Sequence, residues 1–287
     1  MRKIRDCEVV GLGGAAFRSY KKIEAVKNSR AEKKHFIINA VECDPGLIHD
    51  NWLLRQFPEE LNQGIKLISS SINFNKIILA TKENIKTNLS SEVEIKKVPN
   101  FYPIGAEKVL INKILDICFP NNIIPAHKGI LVLNIQTIYA IYKAVYLNEK
   151  ATSKYITIAN LKKEEARPVK VELGSRILEL MDDIYPGEGP IFEGGGIMQS
   201  RRISKGDVIQ KTTNFLAVSE IPYYKESPLC SRCGLCIKKC INNLEVYKIA
   251  DLIDQGEIEE TVKYNPEKCI SCGACSYHCL AVFKFEK

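Results

Sequence analysis

Apolar positions fall into three regimes along the chain. Up to about residue 147, short apolar runs alternate with stretches of helical spacing. HFIINAV (35–41) and NKIILAT (75–81) are Ile-rich and of strand length, suited to burial on both faces. DNWLLRQFPEELNQGIKLISSSI (50–72) repeats its apolar residues at helical spacing. GILVLN (129–134) reads as a further strand and IQTIYAIYKAVYL (135–147) as the helix behind it. Strands alternating with helices predict an open α/β layer with parallel strands, a Rossmann-like arrangement. Between about 150 and 220 the helical period fades. YITIANL (155–161) and RPVKVEL (167–173) read as strands, SRILELMDDI (175–184) as one short helix, and the glycine-rich PGEGPIFEGGGIMQ (186–199) as turn or loop. This predicts a small α+β module. The remainder carries two cysteine runs. The expected division is 1–147, 148–222 and 223–287.

The bulk numbers narrow the class. With 287 residues, 45% apolar and 26% charged, the chain has the size and composition of a globular protein with a substantial core. Its most apolar stretch, 129–147, is interrupted by Asn134, Gln136, Thr137 and Lys143, so no membrane span is expected. The basic start MRKIRDCEVV has no apolar stretch behind it, which argues against a cleaved secretory signal and for the cytoplasm.

Eight of the eleven cysteines lie in two runs, Cys230, Cys233, Cys236, Cys240 and Cys269, Cys272, Cys275, Cys279. Both have the C-x₂-C-x₂-C-x₃-C spacing of bacterial ferredoxins, which predicts two [4Fe-4S] clusters. Zinc needs four ligands, usually in paired spacing, and two evenly spaced sets of four exceed that. In two-cluster ferredoxins the fourth cysteine serves the other cluster. The expected sets are therefore Cys230, Cys233, Cys236 with Cys279, and Cys269, Cys272, Cys275 with Cys240. Ile241 and Leu280 stand where a proline usually follows the fourth cysteine. Cys7, Cys43 and Cys118 are expected to be small buried hydrophobes. Trp52 is expected in the core. His278, inside a cysteine run, could tune a cluster or lie at the surface.

The formal charge of +7 invites a nucleic-acid reading. Each cluster with four thiolates brings about −2, and a flavin phosphate about −1.5 to −2, so the surplus largely cancels. There is also no recognisable helix-turn-helix, and no nucleic-acid partner is expected.

The loop Gly11-Leu-Gly13-Gly14-Ala-Ala16-Phe17 fits G-x-G-x-x-G/A but follows only ten residues, too few for an ordinary dinucleotide fingerprint. Read in order, GLGGAAFRSYKK (11–22), NAVECDPGLIHD (39–50), YPIGAEK (102–108), LNIQT (133–137) and the two cysteine runs resemble the C subunit of the Rnf-type ferredoxin:NAD oxidoreductase. More distantly they resemble the NADH-binding flavoprotein subunit of respiratory complex I and its hydrogenase relatives. The resemblance spans almost the whole chain and implies a flavin-binding α/β domain, a β-grasp-like module of the soluble-ligand-binding type and a helical two-cluster domain. The barrel that usually precedes the glycine loop in Rnf C subunits is expected to be missing. FMN contacts are implied at Gly11, Gly13, Gly14, Lys22, Asn39, Glu42, Asp44, Gly105, Asn134 and Thr137. Phe17 and Glu107 match positions that touch NAD(H). Ala16 stands for the usual third glycine, Arg18 and Ser19 for Pro-Thr, and Val41 for an acid found in the complex I relatives. No nucleophile constellation is visible. The expected function is an NADH-dependent electron-transfer oxidoreductase subunit. It would work with a redox partner protein (ferredoxin, an Rnf-type membrane complex or a soluble reductase), in the cytoplasm or at the inner face of the membrane through its partners. The competing expectation is a flavin-free iron–sulfur wire or docking subunit.

Overall fold

The apolar runs of the first section become the strands β1 (His35–Asn39), β2 (Lys76–Thr81), β3 (Val93–Lys97) and β4 (Ile130–Asn134) of one parallel sheet, in the order β3-β2-β1-β4. The computed structural model describes residues 1–14, 16–83, 88–219 and 230–279. Two-residue alternation sends Phe36, Ile38, Leu79, Leu131 and Leu133 to one face and Ile37, Ile78, Ala80, Ile130 and Val132 to the other. Both sets are apolar, so both faces must be covered, as in α/β layers. The first face takes α1 (Arg2–Asp6), α2 (Ser19–Asn28), α3 (His49–Gln56), α4 (Pro58–Ser69) and α6 (Ile135–Tyr142); the second takes α5 (Glu107–Leu115). The single helix expected over 50–72 breaks at Phe57, because Pro58 lacks the N–H to continue α3 and starts α4 instead. Gly64 lets α4 lie close to α6: a methyl there would stand 2.8 Å from the Ile138 carbonyl oxygen.

The second module is a five-stranded sheet ordered β6-β5-β9-β7-β8, with β5 (Ser153–Asn160), β6 (Glu165–Glu172), β7 (Ile191–Gly194), β8 (Arg201–Arg202) and β9 (Phe215–Val218). Here β5 and β9 are parallel and central, and the other pairs antiparallel, the pattern of a β-grasp. Helix α7 (Ile177–Ile184) covers one face through Ile177 and Met181. The segment 186–199 is not all loop. Ile191 and Phe192 are buried and pair with Val218 and Ala217, and the following glycines mark close backbone passages, not a lack of structure. A methyl on Gly194 would lie 2.7 Å from the Gln199 carbonyl oxygen.

Both modules lie within one compact unit, Met1–Ser219. Phe215 and Ala217 pack toward Leu47 and Ile197, the Tyr155 N–H donates to Gln136 Oε1 at 2.7 Å, and half-buried Trp52 meets Phe57 edge-on and Tyr155 at a tilt. The boundary expected after residue 147 falls in the connector before β5; the one after 222 lies outside the described residues. The second unit, Glu220–Lys287, is helical where described: α8 (Leu235–Lys239), α9 (Val246–Asp254) and α10 (Ala274–Tyr277), with α8 against α10. Among the described residues no helix is long and apolar enough to cross a membrane.

Candidate cofactor sites

Strand order dictates where the first unit can bind a ligand. From β1 the chain moves to β2 and β3 on one side, while β4 lands on the other. Open parallel sheets hold ligands at this reversal, outside the carboxyl ends of the strands. Asn39 and Asn134 are the last residues of β1 and β4 and are partners in register. Asn39 accepts the Val41 N–H (3.1 Å) and donates to the Gly105 carbonyl (3.0 Å). Asn134 caps α6 by accepting the Gln136 N–H at 2.8 Å, and its amide donates to Asp50.

The glycine loop closes over the same edge. Val10 pairs with Arg18, the Gly11 N–H donates to Phe17 O at 2.7 Å, and the Ala16 N–H donates to Gly11 O at 3.0 Å. The Leu12 N–H donates to Thr137 Oγ1 at 3.0 Å, behind β4. Gly13 is exposed, and a methyl on it would stand 3.0 Å from Asn134 Cβ; Gly14 has φ +110°. Lys22 and Glu107 form an ion pair at 2.6 Å. Thus the glycine loop, both asparagines, the Gly105 turn, Lys22 and Glu107 converge on one edge. Phe17 is half exposed beside them.

Two carboxylates of the same set have their oxygens on backbone. Glu42, at φ +42°, accepts the Asp50 and Asn51 N–H groups at 2.6 and 3.1 Å, at the start of α3. Asp44 accepts the Ile197 N–H at 2.7 Å and the Met198 N–H at 3.2 Å, both from the second module. Burial pushes Glu42 up and takes Asp44 to about 6, against those N–H groups, which favour the charged form.

Sequence reasoning missed a buried polar layer beneath this edge. Thr157 Oγ1 accepts the Ile48 N–H at 3.0 Å, leaving its own proton for His49 Nδ1, also at 3.0 Å. That fixes the His49 proton on Nε2, which faces Asp50 at 3.7 Å. Burial takes His49 down to about 3, so it is neutral; burial and then Glu42 hold Asp50 well above the carboxylate range. Lys154, on β5, is the one fully buried Lys or Arg among the described residues. Its ammonium donates to Leu12 O (3.2 Å), Lys211 O (3.0 Å) and Asn214 Oδ1 (2.6 Å). Burial pulls it down to about 7. Three acceptors match three N–H donors, which only the charged form has. The available signal was parity: Lys154 shares its face with Ile156 and Ile158, an inward position for a charged residue.

The edge fits a planar, phosphorylated ring. It offers bare backbone at Gly13 and Gly14 where a Cβ would collide or strain, amide side chains at two strand ends, and a lysine at the rim.

In the second unit the two cysteine runs share one backbone form. Arg232 and Ser271 lie at φ +55° and +52°, and Gly234 and Gly273 at +72° and +76°. The N–H groups of Arg232 and Ser271 face the sulfurs of Cys230 and Cys269, each at 3.4 Å. Helices α8 and α10 begin directly after the glycines. None of the eight cysteines is in a disulfide. Burial, then the adjacent Cys279 among the thiols, holds Cys236 up; around Cys272, after burial, the thiol neighbours are Cys275, Cys240 and Cys269. Each fourth cysteine thus lies near the other run, the neighbourhood that crossed ligation calls for. Donor type, repeated geometry and grouping fit two thiolate-bound clusters. His278 faces the Ala274 carbonyl at 2.9 Å. Of the other cysteines, Cys7 is buried and Cys43 partly so. Cys118 corrects the expectation of burial: it is exposed, because it lies in the loop after α5, where Asn112 donates to its sulfur at 2.9 Å.

Comparison with known proteins places this geometry. Residues 4–143 match the Nuo51 FMN-binding domain, and residues 222–280 the 4Fe-4S dicluster domain. The chain is 29% identical over 278 residues to the C subunit of the ion-translocating oxidoreductase complex of Haemophilus influenzae, covering 91% of this chain and 41% of that protein. With the same component of the Rhodobacter capsulatus complex it is 28% identical over 271 residues, covering 89% and 52%. It therefore spans about two-fifths to one-half of the length of these relatives. A chain of the NAD+-reducing [NiFe]-hydrogenase, in the H2-reduced state, shares the fold with a TM-score of 0.62 at 17% identity, over 76% of this chain and 46% of that one. The fold is thus a mixed α/β one carrying an FMN-binding domain of the Nuo51 type, followed by a 4Fe-4S dicluster domain.

Proposed function

We propose, for a chain similar over nine-tenths of its length to C subunits of ion-translocating oxidoreductase complexes, that it is an electron-transfer subunit linking NAD(H), a bound FMN and two [4Fe-4S] clusters. The observation that carries this reading is the register pairing of Asn39 with Asn134 at the sheet reversal, against an exposed Gly13 whose Cβ, were it present, would stand 3.0 Å from Asn134 Cβ. When bound, a flavin exchanges two electrons with a nicotinamide and one at a time with an iron–sulfur cluster.

The chain's own residues would hold that group. Gly11, Gly13 and Gly14 give close backbone approach. Lys22 would face a phosphate or ring oxygen, and Asn39 and Asn134 would fix the polar ring edges. Gly105 and Thr137 would shape this edge, while Glu42 and Asp44 hold α3 and the second module in place around it. Phe17 and Glu107 would meet the nicotinamide nucleotide at the open side. No acid–base pair is needed, because the protein's task is positioning and exclusion. Partners would be proteins: a ferredoxin, an Rnf-type membrane complex or a soluble reductase. The location would be cytoplasmic or peripheral at the inner face of the membrane.

Anaerobic purification with iron, sulfide and flavin analysis tests the reading. About eight irons, one FMN and bleaching by NADH are expected. A protein with full clusters that binds no added FMN and does not respond to NADH would instead be a wire or docking subunit.

A further inference from the structure

The second module does more than lie beside the flavin domain. The backbone of Leu12 is held from both sides: its N–H by Thr137 at 3.0 Å, after β4, and its carbonyl by Lys154 at 3.2 Å, from β5. The next two residues are Gly13 and Gly14, the bare backbone of the proposed flavin site. Asn214, also from the second module, binds the same ammonium through Oδ1, and its Nδ2 would lie 3.6 Å from a methyl placed on Gly14. A buried lysine is expensive unless all its donors are used, and an apolar side chain of similar length usually serves packing as well. Here all three donors have acceptors, drawn from the glycine loop and from two residues of the second module. The arrangement makes little sense as packing alone. It joins the glycine loop to the sheet of the second module and sets an ammonium directly behind it.

We propose that Lys154 is a positioning residue for the flavin: its ammonium, caged by Leu12, Lys211 and Asn214, clamps the glycine loop in its binding shape and adds positive potential behind the ring. The inference rests on the reading that FMN lies on this loop. A cation there favours the electron-rich, reduced flavin, so its removal lowers the flavin midpoint potential as well as the affinity. A purely structural lysine would move neither once the variant is folded.

The test uses the full chain, reconstituted anaerobically with both clusters, at pH 6.5. FMN affinity is measured by fluorescence titration and the flavin potential by spectroelectrochemistry, for wild type, Lys154→Met and Asn214→Ala. Lys154→Met is expected to bind FMN about tenfold more weakly or worse, with a more negative midpoint potential and unchanged iron content. Asn214→Ala, which leaves the lysine with two acceptors, is expected to shift both in the same direction by about threefold in affinity. If Lys154→Met folds and matches wild type in affinity and potential, the inference is wrong. If it does not fold, Asn214→Ala decides, and wild-type values there overturn the proposal. If wild type itself binds no FMN, the flavin reading fails first and this inference goes with it.

Discussion

The cysteine runs and the glycine-loop edge, each proposed to hold a redox group, are built in opposite ways. Each run supplies three or four sulfurs within eleven residues, and both adopt the same sequence of left-handed residues, at Arg232 and Gly234 and again at Ser271 and Gly273. The proposed flavin edge draws on four segments between residues 11 and 137 and is fixed from behind by residues beyond 150. A local site tolerates changes elsewhere in the fold; a distributed one depends on side chains that never touch the ligand. The comparison predicts which changes are confined and which spread.

The largest effect belongs to the cysteines. Cys279→Ala should halve the iron, from about eight to about four per chain. The paramagnetic signal lost should be the one also lost in Cys233→Ala, because Cys279 lies near Cys236 of the first run. Loss of the signal shared with Cys272→Ala would show that ligation is not crossed. FMN binding should be unchanged, since the ligands of one site do not build the other.

Next comes Gly13→Val. Its Cβ would stand 3.0 Å from Asn134 Cβ and 3.2 Å from Asn134 Cγ, and the branched carbons would press further. Asn134 is held by Asp50 and by the first turn of α6, so it cannot swing away without breaking both. FMN affinity should fall by about a hundredfold or more, ~2.7 kcal/mol. Stability should drop by roughly 1–3 kcal/mol, and iron content should stay at the wild-type value. A variant that keeps wild-type FMN affinity would remove the loop from the site.

The same contrast explains what could be read from the sequence. The cysteine spacing is chemistry written in consecutive residues, so ligands and pairing could be argued directly. The parallel sheet was legible because 35–41, 75–81 and 129–134 are apolar on both faces. β3 escaped notice because VEIKK is an edge strand with mostly exposed residues, and β7 because its two apolar residues sit between glycine clusters. The members of the glycine-loop site could be assembled only through a family resemblance, since nothing in Gly13 or Asn134 alone announces a partner more than a hundred residues away. Asp44 shows the limit of that route: its position matched, but its carboxylate is bound to the Ile197 and Met198 N–H groups. Lys154 and Asn214 carry no motif, and their roles emerge only when two modules are folded together.

Acidity offers a sharper separation of the two regions. Burial holds Lys154 near 7, whereas an exposed lysine titrates near 10.4. Between those values the unfolded chain binds the extra proton, so folding stability should rise with pH, by at most about 1.4 kcal/mol per unit. The ionisable groups facing this lysine are Asp50 and His49, with Glu42 coupled to Asp50. His49 is already neutral throughout. Denaturant midpoints of the flavin-free protein should therefore increase from pH 7 to 9 in wild type and change less in Lys154→Met. FMN affinity should fall over the same interval, because the neutral amine has only two donors for three acceptors. Stability and affinity moving together with pH would contradict the cage.

The smallest effect is expected at Ala16, and it tests whether the glycine loop has lost its purpose. Ala16 has φ +48°, a conformation that costs a non-glycine residue roughly 1–2 kcal/mol. Relatives of the resemblance place glycine there, which would relieve that strain. Against this, the Ala16 methyl packs on the core of the first module, and glycine has more freedom to lose on folding. These terms nearly cancel, so Ala16→Gly should change stability by no more than about 1 kcal/mol. Its backbone N–H keeps the bond to Gly11 O at 3.0 Å in either case, so the shape of Gly13 and Gly14 persists. FMN affinity should then be unchanged or up to about threefold tighter, measured by the same titration. A marked loss of affinity would mean that the methyl itself supports the bound ring, and that this chain has rebuilt its flavin site around alanine.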